Sequence, residues 1–209
     1  MNKLIILLCV SYLVTFSNSL YAQDYASAQE ALPSNYNKRS PIYDYSEKQL
    51  NNTDTIPDFN IKSNKLKITG TIYLEDGVTP AKDVILYVCQ PDEDGNYELK
   101  KDEYRKRYVY HRGWVKTDAD GRYTLYTFVP GKFLRSQELK QIHRVIKEPG
   151  KPEYEISSFF FNDDPLIPSL TLSCRAKAVM SMLRLDDEEN GMYVATKDIK
   201  LNKDLKNFQ

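Results

Sequence analysis

The chain has 209 residues, with 29 Lys and Arg, 29 Asp and Glu and only two histidines, so its formal net charge is zero. This balance argues against a basic nucleic-acid-binding surface, and two histidines exclude a metal site built from three of them. Hydrophobic residues make up 41% of the chain, which is enough for a buried core and argues against a wholly disordered protein.

The first 22 residues are predicted to be a secretory signal peptide. A basic start at Asn2 and Lys3 precedes an apolar run over residues 4–14, and small and polar residues then lead to Ala22. The apolar run is shorter than the roughly 20 residues that cross a bilayer, so we expect cleavage and not a membrane anchor. The sequence therefore predicts a secreted or periplasmic protein with no membrane span after signal cleavage.

Residues 23–63 are predicted to be a polar linker or arm. Three prolines interrupt the segment, and its tyrosines follow neither a helical nor a strand period. These tyrosines could still pack onto the folded part of the chain. A single domain is expected to follow, over residues 64–205.

Alternating or continuous apolar runs within this domain predict short β-strands. The runs cover residues 66–74, 84–89, 114–117, 122–128, 142–146, 154–161 and 192–201. Asp-Gly turns separate several of them, which is typical of an antiparallel β-sandwich. We therefore predict an all-β fold, with one short C-terminal helix over residues 173–185 from its Ala, Met, Leu and Arg content.

Two acidic segments look like fragments of calcium-binding loops. In residues 92–96 and 118–121 the glycine falls too early for such a loop, and the closing glutamate is missing. Both segments are predicted to be turns, in which aspartate side chains accept hydrogen bonds from nearby backbone amides.

Several short motifs occur in one order over about a hundred residues. They are Gly70-Thr71-Ile72-Tyr73, Thr79-Pro80-Ala81, Val84-Ile85-Leu86-Tyr87, Asp94-Gly95-Asn96-Tyr97, Arg112-Gly113-Trp114, Thr117-Asp118-Ala119-Asp120-Gly121-Arg122-Tyr123, Thr127-Phe128-Val129-Pro130-Gly131 and Ile142-His143. In this order and spacing the chain resembles the intradiol ring-cleavage dioxygenases, the catechol and protocatechuate dioxygenase family, and especially its small exported bacterial members. The resemblance covers about half of the chain and implies a β-sandwich core.

The resemblance also implies a cofactor and a substrate class. The family holds Fe(III) with two tyrosinates and two histidines, a donor set that favours the ferric state. It cleaves catecholic aromatics with dioxygen between the two hydroxylated carbons. Carried onto this chain, the four ligand positions are Tyr97, Phe133, Gln141 and His143.

Two of these positions therefore hold residues that differ from the family's ligands. A phenyl ring offers no donor at Phe133, and Gln141 offers only a neutral amide oxygen. The family's substrate-assisting arginine has Arg135 nearby, but in a different register. His111 matches no family ligand, and we do not expect it to share the site.

Two functions follow as alternatives. The first is an exported intradiol-dioxygenase-like protein that binds Fe(III) through Tyr97 and His143 and acts on a small catecholic ligand. The second is a non-catalytic β-sandwich module with a binding or structural role in the cell envelope. Each surviving residue also has an ordinary structural alternative, because Tyr97 could be a half-buried tyrosine at a strand start and His143 a core histidine.

Overall fold

The computed structural model describes residues 34–45, 49–132, 138–185 and 187–201. The described residues fall into two units that divide after Lys38: the first includes the 3₁₀ turn Tyr36–Lys38, and the second contains every strand described below. The predicted signal peptide lies outside the described residues, as do Phe133 and Arg135. Within the described ranges, no helix has the length and apolar character needed to cross a membrane.

The described part of the larger unit consists mostly of short strands. They are β1 (Thr53–Thr55), β2 (Lys65–Tyr73), β3 (Ile85–Cys89), β4 (Leu99–Lys101), β5 (Arg107–Val109), β6 (Arg112–Lys116), β7 (Arg122–Phe128), β8 (Gln141–Lys147), β9 (Tyr154–Phe161), β10 (Met182–Leu183), β11 (Asp187–Glu189), β12 (Met192–Thr196) and β13 (Ile199–Lys200). The helix α1 spans Leu172–Met180, and 3₁₀ turns lie at Pro41–Tyr43, Phe59–Ile61 and Ile167–Ser169.

Two sheets pack face to face around one core. The first has the order β1-β7-β2-β12-β11, with β13 also paired to β2, and the second has the order β10-β9-β8-β3-β6. Strand alternation buries Leu66 and Ile68 of β2 from one side and Ile142 and Ile146 of β8 from the other. The predicted β-sandwich is confirmed.

The pairing is antiparallel in the centre of each sheet and parallel at several added strands. The ladders β2–β7, β3–β6, β3–β8 and β8–β9 are antiparallel, as the sequence predicts. By contrast, β1 joins β7, β10 joins β9, and both β12 and β13 join β2 in parallel. Long connections bring these four strands to their partners, and a parallel pair requires such a connection.

The strand and the helix predicted near the C-terminus are present, but their observed limits differ from the predicted ones. The strand predicted over residues 192–201 is two strands, because between them the Asp198 carboxylate accepts a hydrogen bond from the backbone N–H of Thr71, at 2.8 Å. The predicted helix ends earlier than expected, at Met180, and begins at the N-cap Thr171, whose hydroxyl accepts from the backbone N–H of Cys174.

Part of the segment predicted as an arm packs against the domain. Strand β1 pairs with β7, and Ile56 beside it is buried in the core between the sheets. Ile42, in the 3₁₀ turn Pro41–Tyr43, is fully buried against Tyr87 and Trp114 on the outer face of the second sheet. The domain boundary at residue 64 itself stays a prediction.

Candidate functional site

The candidate site lies on the outer face of the second sheet. Cys89 of β3 is directly opposite His143 of β8 on one side and Arg112 of β6 on the other, so these three side chains share a face. Two residues along β3, Tyr87 stacks against Trp114 under the turn that carries Ile42. That turn covers one part of the face, and the site occupies the part around Cys89.

A tight turn between β3 and β4 brings Tyr97 over this part of the face. One carboxylate oxygen of Asp92 accepts hydrogen bonds from the backbone N–H groups of Asp94 and Asn96, at 2.9 and 2.8 Å. Gly95 adopts a φ of +84°, which glycine tolerates best. This is the turn chemistry predicted from the sequence, and it places the tyrosine directly after the turn.

Tyr97 and His143 are in direct contact. The Tyr97 hydroxyl lies 2.7 Å from Nε2 of His143, although the two residues are 46 positions apart. The tyrosine is 42% exposed, so the pair is open to solvent on one side. Ser158 of β9 places its hydroxyl 3.4 Å from Nδ1 of the same imidazole. The two residues that match family ligands are therefore brought together by the fold, while their role as metal ligands stays a prediction.

Burial sets the protonation of this pair. It raises the pKa of Tyr97 to about 12, with smaller contributions from the Cys89 thiol and the Glu138 carboxylate. Burial also lowers the pKa of His143, against the opposing effect of Glu155 and Glu138. Near pH 7 the phenol therefore holds its proton and the imidazole is neutral, so one of the two groups donates the hydrogen bond and the other accepts it, according to the imidazole tautomer.

Gln141 lies beside this pair on the same strand. Along β8, Gln141 and His143 are half-buried, while Ile142 and Arg144 point into the core. Because strand side chains alternate, the amide of Gln141 and the imidazole of His143 face the same way. The fourth family position, Phe133, lies outside the described residues.

The remaining histidine is elsewhere. The ring of His111 packs edge-on against Phe128 of the sandwich core, with ring centroids 5.1 Å apart. Its nearest acidic group is Asp58, whose carboxylate lies 3.6 Å from Nε2. His111 therefore does not join Tyr97 and His143, as expected from the sequence.

Sequence reasoning missed Ser158, which contacts the imidazole of His143. The strands β8 and β9 pair with a shift in register between Ile142 and Arg144, so the residue of β9 that faces His143 does not follow from counting along the chain. The pair Ser157-Ser158 inside an otherwise apolar strand was the available signal.

The two cysteines left after the predicted signal cleavage are both free thiols. Cys89 lies at the site, and burial raises the pKa of its thiol, while Arg112 lowers it. Cys174 is exposed on α1. The structure therefore contains no disulfide between them.

The two packed sheets have the fold of solved intradiol ring-cleavage dioxygenases. The chain is similar to the dioxygenase domain of a dioxygenase and carbohydrate-binding fusion protein from Streptomyces sp. SirexAA-E, with 21% identity, a TM-score of 0.57, and coverage of 73% of this chain and 88% of that one.

Two further solved structures show the same fold. The 3-chlorocatechol 1,2-dioxygenase of Rhodococcus opacus matches with 20% identity and a TM-score of 0.54, over 71% of this chain and 63% of that enzyme. An intradiol ring-cleavage dioxygenase of Tetranychus urticae matches with 17% identity and a TM-score of 0.54, over 74% and 88% of the two chains. No family model and no curated protein matches the sequence. The resemblance seen in the sequence is thus confirmed for the fold.

Proposed function

We propose that this protein binds catecholic aromatic compounds at the Tyr97–His143 site, as an intradiol-dioxygenase-like protein that has lost efficient ring cleavage. The observation that carries the proposal is the 2.7 Å contact between the Tyr97 hydroxyl and His143 Nε2, on a fold shared with enzymes named for chlorocatechol and intradiol cleavage. The two adjacent hydroxyl groups of a catechol can each donate to one of these two atoms, the imidazole nitrogen and the phenol oxygen.

The four family positions do not fit a resident ferric ion held by the protein alone. They supply one phenol, one imidazole, one neutral amide and one phenyl ring. Fe(III) favours hard anionic oxygen together with imidazole, and a phenyl ring contributes nothing. The raised pKa of Tyr97, about 12, further disfavours the tyrosinate form before any cation arrives. Binding, and not oxygenation, is therefore the function that these residues support best.

The residues of the site can hold a catechol without iron. Insertion of the ligand would exchange the Tyr97–His143 hydrogen bond for one bond from each hydroxyl, to Nε2 of His143 and to the Tyr97 oxygen. A neutral hydrogen bond contributes only about 0.5–1.5 kcal/mol net, so breaking the existing one is affordable for a ligand that makes two. Gln141, on the same face, offers a donor and an acceptor for further substituents on the ring.

Calorimetric titration of the iron-free protein with catechol under anaerobic conditions tests this proposal. We expect one catechol per chain, at least tenfold weaker binding in His143→Gln and Tyr97→Phe, and weaker binding of phenol, which has one hydroxyl. Tyr73→Phe, on β2 in the opposite sheet, is the control and should bind as the unaltered protein does. Equal affinities of all four proteins for catechol would refute the site.

Ring cleavage is a second candidate function, because the spacing of Tyr97 and His143 would suit two ligands of one metal ion. Two ligand atoms that each lie about 2.0–2.1 Å from a metal ion, at right angles to each other, are about 3 Å apart. The 2.7 Å separation of Tyr97 Oη and His143 Nε2 is close to this spacing. An oxygen electrode with Fe(III) and catechol added separates the two functions. Oxygen uptake with a ring-opened product would establish the enzyme, whereas binding without uptake supports the proposed module.

We also propose that the protein is exported, as its N-terminal sequence predicts. The support is the basic start, apolar run and small residues of the first 22 positions. Mass spectrometry of the mature protein from its host should give Gln23 as the first residue. A mature chain that still begins at Met1 would contradict export by this route.

A further inference from the structure

Three side chains converge near the start of β6, and one of them, Glu98, directly follows Tyr97 in the chain. One ligand atom each of Asp58, Glu98 and His111 lie within 4.8 Å of one another. The group combines two carboxylates with one imidazole, and none of the three residues corresponds to a ligand position of the family that the chain resembles.

Backbone contacts fix all three residues. Asp58 precedes the 3₁₀ turn Phe59–Ile61 and has a φ of +65°, which aspartate tolerates better than most residues. The carbonyl of Glu98 accepts from the N–H of Tyr110, at 2.8 Å, and the carbonyl of His111 accepts from the N–H of Gln90, at 3.0 Å. The backbone at these positions is therefore held by the fold close to the start of β6.

His111 is the unusual member of the group. It is only 1% exposed, and within the described part of the chain neither of its ring nitrogens has a hydrogen-bond partner. The 3.6 Å between Nε2 and the Asp58 carboxylate is too long for a hydrogen bond. A buried imidazole without partners is costly, and such a nitrogen facing two carboxylates is typical of a metal ligand.

The charges around the group also favour a cation. Two carboxylates lie near the imidazole, and Lys100 neutralises one of them through a 3.2 Å ion pair with Glu98. The Tyr110 hydroxyl donates to the other oxygen of Asp58, at 3.3 Å, which orients that carboxylate toward His111. One negative charge remains on the two carboxylates after the pairing with Lys100, so a divalent cation would be attracted.

We propose that Asp58, Glu98 and His111 form a zinc-binding site. Imidazole nitrogen and carboxylate oxygen are both zinc ligands, and three protein ligands leave the fourth tetrahedral position for water or another ligand. The imidazole argues against Mg²⁺ and Ca²⁺, which prefer oxygen ligands alone. Bound zinc would join the segment before β2 to the residues that directly precede β4 and β6, and would give His111 the partner that it lacks.

Calorimetric titration with zinc chloride tests the proposal, using the full chain with His143→Gln as background, so that the catechol site cannot contribute. We expect one zinc ion per chain, and at least tenfold weaker binding when Glu98→Gln is added, because the ligand is then a neutral amide. Glu103→Gln, the same change at an exposed residue of the β4–β5 connection, is the matched control and should leave the zinc affinity unchanged.

A second measurement guards against misfolding of the variants. Zinc should raise the melting temperature of the background protein, and this increase should be lost in Glu98→Gln, whose melting temperature without zinc should match that of the control. Equal zinc affinity in the Glu98→Gln and Glu103→Gln proteins, or no zinc binding by the background protein, would overturn the proposal.

Discussion

Replacing Asp44 by asparagine is expected to lower the free energy of unfolding by about 3–5 kcal/mol, measured by urea denaturation. The Asp44 carboxylate is 7% exposed and lies 2.7 and 2.8 Å from the ammonium of Lys106, which is 6% exposed. Arg39 and Arg112 approach the same carboxylate, at 3.1 and 3.7 Å. One negative charge thus lies among three cations, and its removal takes away the Asp44 carboxylate beside a buried ammonium.

Two further variants separate this effect from a general cost of substitution. Asp83→Asn makes the same change in the Lys116–Asp83 ion pair, where both side chains are more than 40% exposed, and should cost about 1 kcal/mol or less. Adding Lys106→Met to Asp44→Asn removes the buried ammonium as well and should recover part of the lost stability. Losses of similar size at Asp44 and Asp83 would contradict a role for the buried network.

The strands that could be predicted are those in which burial follows the sequence pattern. In β7 and β9 the predicted and observed limits coincide, because β7 shows the apolar period of two and β9 ends in a run of three phenylalanines. Strands β1 and β10 escaped prediction since they are two or three residues long and contribute mainly backbone hydrogen bonds at a sheet edge. Periodicity carries no information over so short a length.

The packing of residues 39–61 could not be predicted for a different reason. Ile42 is an isolated apolar residue in a polar segment, yet it is fully buried against Tyr87 and Trp114. The sequence signal for that contact lies in β3 and not in the segment around Ile42. Because β3 is apolar on both faces, another segment must cover its outer face. The apolar strand thus predicts that a covering segment exists but does not identify it.

Part of the candidate site could also be predicted from the sequence, and part could not. The ordered motifs placed Tyr97 and His143 at matching positions, and their 2.7 Å contact follows from the fold. The surroundings of the imidazole depend on the register shift between β8 and β9, which brings Ser158 to Nδ1 and is not encoded in any local pattern. The group around His111 was also missed, since Asp58 and Glu98 are 40 positions apart and meet only in the folded chain.

Restoring the family's donors is the other change with a large expected effect. We expect the double variant Phe133→Tyr/Gln141→His to bind about one ferric ion per chain and to become red-brown, since tyrosinate bound to Fe(III) absorbs visible light. At position 141 the new imidazole would lie on the same face of β8 as His143, one strand repeat away. Iron content and the visible spectrum of the purified protein measure the result.

The two single variants show which donor limits iron binding. The amide oxygen of Gln141 is already a weak metal ligand, so Gln141→His alone replaces that ligand with an imidazole. Phe133→Tyr alone adds a tyrosinate, an anionic ligand, where no ligand was present. We expect each to bind less iron than the double variant, and Tyr97→Phe in the double variant to lower both the iron content and the visible absorption. A folded double variant without iron would mean that positions 133 and 141 do not face Tyr97 and His143, and the ligand assignment taken from the resemblance would then be wrong.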